Sequence, residues 1–257
     1  MPKTTRLARL LAFVAILAAA KPAVLTANSL KVQRLQGACL STPPPPEAEV
    51  LFDGTEESTK VWEAGKKGGK LWPVKGGVWV DTACDMRTRK AYGDLQLHLE
   101  WRVPKDYRND GQKGGNSGVI FMDGPGGWYE VQILESHSNS GTYAKGMAGA
   151  LYNHYAPSSN PSLPKGEWQS YDITFTAPRW DEAGELLSKP KFTVVYNGVT
   201  VQKDQELTGS TRRHPDPAKN PIRKHKPRLP FTLQWHNDPV EFRNIWVIDL
   251  EKPVKKE

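Results

Sequence analysis

The sequence predicts an all-β fold, a sandwich or barrel of antiparallel strands joined by long surface loops. Three observations carry this. First, Leu95, Leu97, Leu99, Trp101 and Val103 alternate with Gln96, His98, Glu100 and Arg102. That period of two marks a strand with one face buried. Second, Asn197-Gly198 separates two apolar runs, 192–196 and 199–201. This dipeptide tolerates the positive φ of a type I′ hairpin turn. Third, the chain holds 22 Gly and 21 Pro, and no long amphipathic helical pattern follows residue 30. Further strands are expected at 77–80, 84–88, 117–122, 128–135 and 169–177. Phe231, Leu233 and Trp235 alternate with Thr232, Gln234 and His236. Val240, Phe242, Asn244, Trp246 and Ile248 are expected on one face of the last strand. Two polar stretches interrupt the pattern, a Gly-rich loop at 104–116 and a basic loop at 208–230.

The 257 residues include nine Trp, eight Tyr and seven Phe, enough for a core that needs no staples. Residues 1–27 read as a secretory signal: Lys3, Arg6 and Arg9, then an apolar run from Leu10 to Ala20, then small residues. The run is about half of the ~20 residues that span a bilayer. The expectation is a secreted or periplasmic protein that is not integral to a membrane. Residues 28–49, with four consecutive prolines at 43–46, read as a stiff linker. The domain is expected over 50–252. The net charge is +7, but residues 1–42 hold six Lys or Arg and no Asp or Glu, which leaves the rest at +1. A near-neutral domain argues against nucleic acid. Export permits a disulfide between Cys39 and Cys84, although Cys39 lies in a tail. No Gly-rich nucleotide-binding motif is present, and no residue spacing specifies a metal, so no cofactor is assigned.

The most informative stretch is Gly126-Gly127-Trp128-Tyr129-Glu130-Val131-Gln132-Ile133-Leu134-Glu135. On a regular strand Glu130 and Gln132 share a face and Glu135 takes the other. A β-bulge would bring all three together. The spelling resembles the Glu-x-Asp-x-x-Glu strand of retaining jelly-roll β-glucanases, in which two carboxylates flank the glycosidic bond. Gln132 stands where that motif has Asp, and an amide cannot carry charge. Other motifs occur in order: Leu51-Phe52-Asp53-Gly54, Gly115-Asn116-Ser117-Gly118-Val119, Gly149-Ala150-Leu151-Tyr152, Gly166-Glu167-Trp168, Leu233-Gln234-Trp235-His236 and Val240-Glu241-Phe242-Arg243-Asn244. Together they resemble the 3-keto-disaccharide hydrolase family, over about residues 50–250.

The resemblance implies a concanavalin-like jelly-roll β-sandwich. It also implies a hydrolase acting on a carbohydrate already oxidised to a ketone at C3. A C3 ketone acidifies the C2 hydrogen; a base removes it, the C1 substituent is eliminated, and water adds back. Such a site needs a base, an acid and oxyanion donors. Glu130 and Glu135 are the expected base and acid, in either order, with His236 as a proton carrier. Asn116, Gln132 and Gln234 are amides suited to sugar hydroxyls, and Trp128 and Tyr152 offer flat faces to sugar rings. Arg243 either neutralises a site carboxylate or braces the last strand, and His154 is a weaker candidate. A separate sugar 3-dehydrogenase is the expected upstream partner. Two other readings compete: a carbohydrate-binding module without chemistry, and an ordinary retaining glucanase.

Overall fold

The computed structural model describes residues 41–212, 216 and 218–251. The signal segment, Cys39 and most of the expected linker lie outside them. Fifteen strands run through the described residues: β1 (Glu49–Phe52), β2 (Trp62–Ala64), β3 (Val74–Lys75), β4 (Val78–Val80), β5 (Met86–Thr88), β6 (Leu95–Arg102), β7 (Ser117–Phe121), β8 (Tyr129–Ile133), β9 (Gln169–Thr176), β10 (Arg179–Trp180), β11 (Leu186–Ser188), β12 (Lys191–Tyr196), β13 (Val199–Glu206), β14 (Thr232–Leu233) and β15 (Glu241–Asp249). An eight-stranded sheet has the order β13-β12-β9-β6-β15-β4-β3, with β1 also on β15. A five-stranded sheet has the order β2-β5-β14-β7-β8, and β10 and β11 form a separate ribbon. The strand pairs are antiparallel, and the architecture is the expected concanavalin-like jelly-roll sandwich.

The core lies between the two sheets. The alternation in β6 points Leu95, Leu97, Leu99 and Trp101 inward, where all are buried. From the smaller sheet Trp62, Met86, Val119, Phe121, Val131 and Leu233 meet them. Phe121 lies 5.0 Å from Phe175 and 5.2 Å from Phe192 between ring centroids, and Trp62 lies 5.1 Å from Trp79. Such offset and edge contacts add to the area these rings bury. One polar tie crosses the core: the Tyr171 hydroxyl donates to the Gln132 carbonyl at 2.8 Å. The hairpin forms as expected, with φ of +47° at Asn197 and +75° at Gly198.

The last strand departs from its expected phase. Its register against β6 shifts between Arg243 and Trp246, and Asn244 takes a φ of +46°. A bulge adds one residue and turns the strand over. Phe242, Ile245 and Val247 therefore face the core, while Trp246 stacks on His98 at 5.0 Å. The strand expected over 231–235 is only Thr232–Leu233 in the ladder. The β10–β11 ribbon carries no clear alternation, and no sequence signal marks it.

The end of the expected linker is bonded to the domain. The Ser41 hydroxyl donates to Glu100, and the Thr42 carbonyl accepts from Asn244 and from the Trp246 indole. Beneath them lies a buried polar cluster on the outward face of the larger sheet. His98 meets Asp172 at 2.7 Å, and Arg243 and Asn244 both donate to Glu100. Burial opposes the Glu100 charge, but the donors around it win and hold its carboxyl at about 2.

Candidate active site

The outward face of the five-stranded sheet carries the chemistry-bearing residues. Residues paired directly across antiparallel strands point to the same side, so the register fixes which side chains share this face. One row runs Glu63, Arg87, Thr232, Ile120, Glu130. A second holds Gly118 opposite Gln132, with Gln234, whose N–H donates to the Gly118 carbonyl, beside them. Asp85 and His236 extend the same phase from β5 and β14. Beyond the free edge of β8, Leu151 bridges Val131 and the Tyr152 N–H donates to the Glu130 carbonyl. Tyr152 is thereby brought alongside Glu130.

Glu130 is 4% exposed. Burial pushes its carboxyl up to about 8; the neighbouring Trp128 side chain pulls the other way, and the Asp85 charge adds to the rise. Gly118 makes room for it: a Cβ there would lie 2.6 Å from Glu130 Oε1. Asp85 is half-buried and accepts the Trp235 N–H at 2.8 Å. Burial raises its carboxyl, the Trp235 bond opposes the rise, Asp123 adds to it and His236 lowers it. His236 is exposed. Three inter-strand steps separate β5 from β8, and Asp85 lies two residues along its strand from the row of Glu130, so the two backbones stand about 16 Å apart, room for a sugar ring between their side chains. A neutral buried acid therefore faces a more exposed carboxylate with an imidazole beside it, a division of roles that environment alone can set.

Gln132 is buried and donates to Asn116 Oδ1 at 2.9 Å, while its Oε1 is buried without a hydrogen-bond partner. Asn116 in turn donates to the Gln112 carbonyl. The two amides thus hold each other beside Glu130. Tyr143, from the loop after β8, donates to Asn153 at 2.8 Å; burial pushes its phenol up, and Tyr152 and the Glu130 charge add to the rise.

Three expected residues stand elsewhere. The β7–β8 ladder runs from Ser117–Ile133 to Phe121–Tyr129 without a shift and then ends, so no bulge turns Glu135 toward Glu130. The Glu135 carboxylate instead accepts the N–H groups of His137 and Ser138, both at 2.8 Å. It lines a small pocket with Trp101, Gln169 and Tyr196 of the larger sheet. Arg243 lies on the outward face of the larger sheet, paired with Glu100 at 2.6 Å and packed over Trp168 at 4.1 Å. Of its two expected roles, bracing is the one this geometry matches. His154 is buried and sits 3.2 Å from the Ser210 carbonyl, where it tethers a loop.

Asp85 and Tyr143 join the site without a sequence motif to mark them, as does Asp123, whose charge raises the Asp85 carboxyl. The outward phase of Asp85 is legible from its inward neighbours Cys84 and Met86, but nothing local says that β5 and β8 share a sheet. Cys84 is buried, and its expected partner Cys39 lies outside the described residues. Among the described residues no group of three or more His, Cys, Asp or Glu is placed to hold a metal ion, and no helix is long and apolar enough to cross a membrane.

Comparison with known proteins gives this arrangement a context. A crystal structure of a provisionally assigned glycosyl hydrolase from Parabacteroides distasonis is 34% identical, covers 85% of this chain and 92% of its own, and superposes with a TM-score of 0.74. A second from the same organism is 21% identical over 80% of this chain and 94% of its own, with a TM-score of 0.57, and supports the fold. No curated protein matches the sequence. The profile of the 3-keto-alpha-glucoside-1,2-lyase-like domain matches residues 47–248, and the chain belongs to that family of glycosidase-like hydrolases.

Proposed function

We propose that this protein cleaves 3-keto-glycosides by elimination followed by hydration. The observation that carries the reading is the pairing of a neutral, buried Glu130 with the Asp85–His236 pair on one sheet face. Asp85, or His236 beside it, takes the C2 proton, which the C3 ketone acidifies. The C2–H electrons form the C2–C3 enolate. That enolate collapses to restore the ketone, forms the C1–C2 double bond and expels the C1 oxygen. Glu130 gives its proton to this leaving oxygen. Hydration reverses the roles: Glu130 takes a proton from water as its oxygen adds to C1, and the Asp85 side returns a proton to C2. Buried amides such as Gln132 and Asn116 suit the ketone oxygen or a ring hydroxyl. Acid–base catalysis of this kind contributes about 10²–10⁴ in rate.

The divergence of Glu135 from Glu130 favours the second reading, a binding module. Asp85 answers it by supplying another carboxylate on the same face. The assay uses purified protein with a 3-keto-disaccharide and with its unoxidised parent, and follows release of free sugars. Cleavage of the oxidised sugar alone is expected, and Glu130→Gln removes it. Binding of either sugar without cleavage selects the module, and cleavage of the parent selects a glucanase. The proposal extends to export through residues 1–27 and to a separate dehydrogenase that supplies the ketone.

A further inference from the structure

Two loop segments close the free edge of β8 on either side of Glu130. On one side the Tyr152 N–H donates to the Glu130 carbonyl at 3.1 Å. On the other the Glu130 N–H donates to the Thr211 hydroxyl at 2.9 Å, and the Thr211 N–H donates to the Trp128 carbonyl at 3.1 Å. Thr211 is fully buried. The Ser210 hydroxyl adds a bond to the same carbonyl at 3.0 Å. The start of the basic loop is thus fixed to the strand that carries Glu130. Its next residue, Arg212, is exposed, and the guanidinium lies 4.5 Å from the centre of the Trp128 ring. That stacking closes one face of the indole to a sugar ring and holds the cation at the rim of the site.

Two features of Arg212 point to a ligand. First, its charge is left over: among the described residues its guanidinium meets the indole and no carboxylate. Asp216, the one acid between 208 and 230, accepts the Ala218 N–H at 3.0 Å within its own loop. A guanidinium stacked on a ring keeps its in-plane N–H fork for a planar anion. Second, its place follows the leaving group. The sugar ring lies between Asp85 on β5 and Glu130 on β8, and Glu130 meets the leaving oxygen. The rest of the leaving group therefore continues past β8, over its free edge. Arg212 stands there, as does Tyr143, which is 45% exposed and donates to Asn153, the residue after Tyr152. We propose that Arg212 anchors a leaving-group subsite over the free edge of β8 and selects 3-keto-glycosides whose leaving group carries a carboxylate. This inference rests on Glu130 being the acid, because that role decides the end at which the leaving group lies.

The test compares matched leaving groups on the full chain. One pair is the 3-keto-glucosides of 4-hydroxybenzoate and of 4-hydroxybenzamide, which differ in charge and hardly in shape. The other is a 3-keto-disaccharide ending in a uronic acid and its neutral counterpart, which tells an acidic sugar from an acidic aromatic. In at least one pair the acid is expected to have a kcat/KM about tenfold higher at low salt, carried by KM. The ratio shrinks in 0.5 M salt, as screening requires. Arg212→Gln brings it close to one, and Arg212→Lys, which keeps the charge but loses the fork, retains part of it. A merely bracing Arg212 would slow both members of a pair alike, so an unchanged ratio in Arg212→Gln overturns the inference. A ratio of one in both wild-type pairs does the same. Binding needs no turnover: 4-hydroxybenzoate and 4-hydroxybenzamide are titrated against the Trp128 indole resonance in wild type and Arg212→Gln. If the acid alone binds, through Arg212, but no 3-keto-glycoside is cleaved, the catalytic reading falls and the subsite stands. Binding of both alike, or of neither, overturns the subsite whatever the enzyme cleaves.

Discussion

Replacing Gly118 with alanine probes the tightest contact around Glu130. A Cβ at this position meets Glu130 Oε1 at 2.6 Å, Cγ at 3.1 Å and Cδ at 3.2 Å. Carbon and oxygen settle at roughly 3.5 Å, so the carboxyl must withdraw by about 0.9 Å. Backbone strain plays no part, because Gly118 is absent from the positive-φ residues. The obstructing atoms belong to the end of a flexible side chain, so the fold can yield. Lowered chain entropy in the unfolded state even offsets part of the strain, by about 0.4–1 kcal/mol. The acid, however, is moved off its target. A misplacement of about 1 Å costs roughly 100-fold in rate. The expected result is a melting temperature within a few degrees of wild type and a kcat/KM on a 3-keto-disaccharide reduced about 100-fold. The assay pairs thermal melts with initial rates. A variant that melts normally and turns over at the wild-type rate refutes the placement of Glu130 as the acid.

Four further outcomes are expected. Glu130 folded holds its proton up to about 8, against 4.5 when exposed, so between those values the folded state binds a proton that the unfolded state lacks. Stability then falls as pH rises through that window, and Glu130→Gln gains on wild type by an amount on the order of 4 kcal/mol across it, read from denaturant melts at pH 4.5 and 8.5. Asp81 is buried with both carboxyl oxygens unpartnered and is pushed up to about 8 by burial, so Asp81→Asn repeats the pattern; a constant difference at all pH values contradicts both. Arg243→Met leaves Glu100 buried beside fewer donors and destabilises by about 2 kcal/mol, while kcat/KM of the folded protein stays near wild type; a large rise in KM returns Arg243 to the site. Phe121→Ala, at the centre of the aromatic contacts with Phe175 and Phe192, destabilises by about 3–5 kcal/mol in chemical denaturation.

Much of the architecture could be read locally. The period of two in β6, the Asn197-Gly198 turn and the outward phase of Glu130 and Gln132 depend only on neighbours along the chain. The last strand departs from that reading at one residue, because Asn244 opens a bulge and a single inserted residue reverses every later side chain. The site divides in the same way. Glu130, Gln132, Asn116 and Tyr152 lie on β8 or on segments paired to it. Glu135 would join them only through a bulge, and the regular ladder carries it instead to the backbone of its own turn. Arg243 belongs to a strand whose sheet the sequence does not state.

By itself, the sequence determined the all-β class, the hairpin and the face on which Glu130 stands, since alternation and turn chemistry are properties of short segments. Tertiary structure alone decided which carboxylate shares a sheet face with Glu130. Asp85 and Glu130 are 45 residues apart in sequence and lie on one face only because β14 and β7 join β5 to β8 in one sheet. It also decided the state of Glu130: burial, over a glycine that leaves it space, keeps the proton on a carboxyl that would be ionised on an open strand.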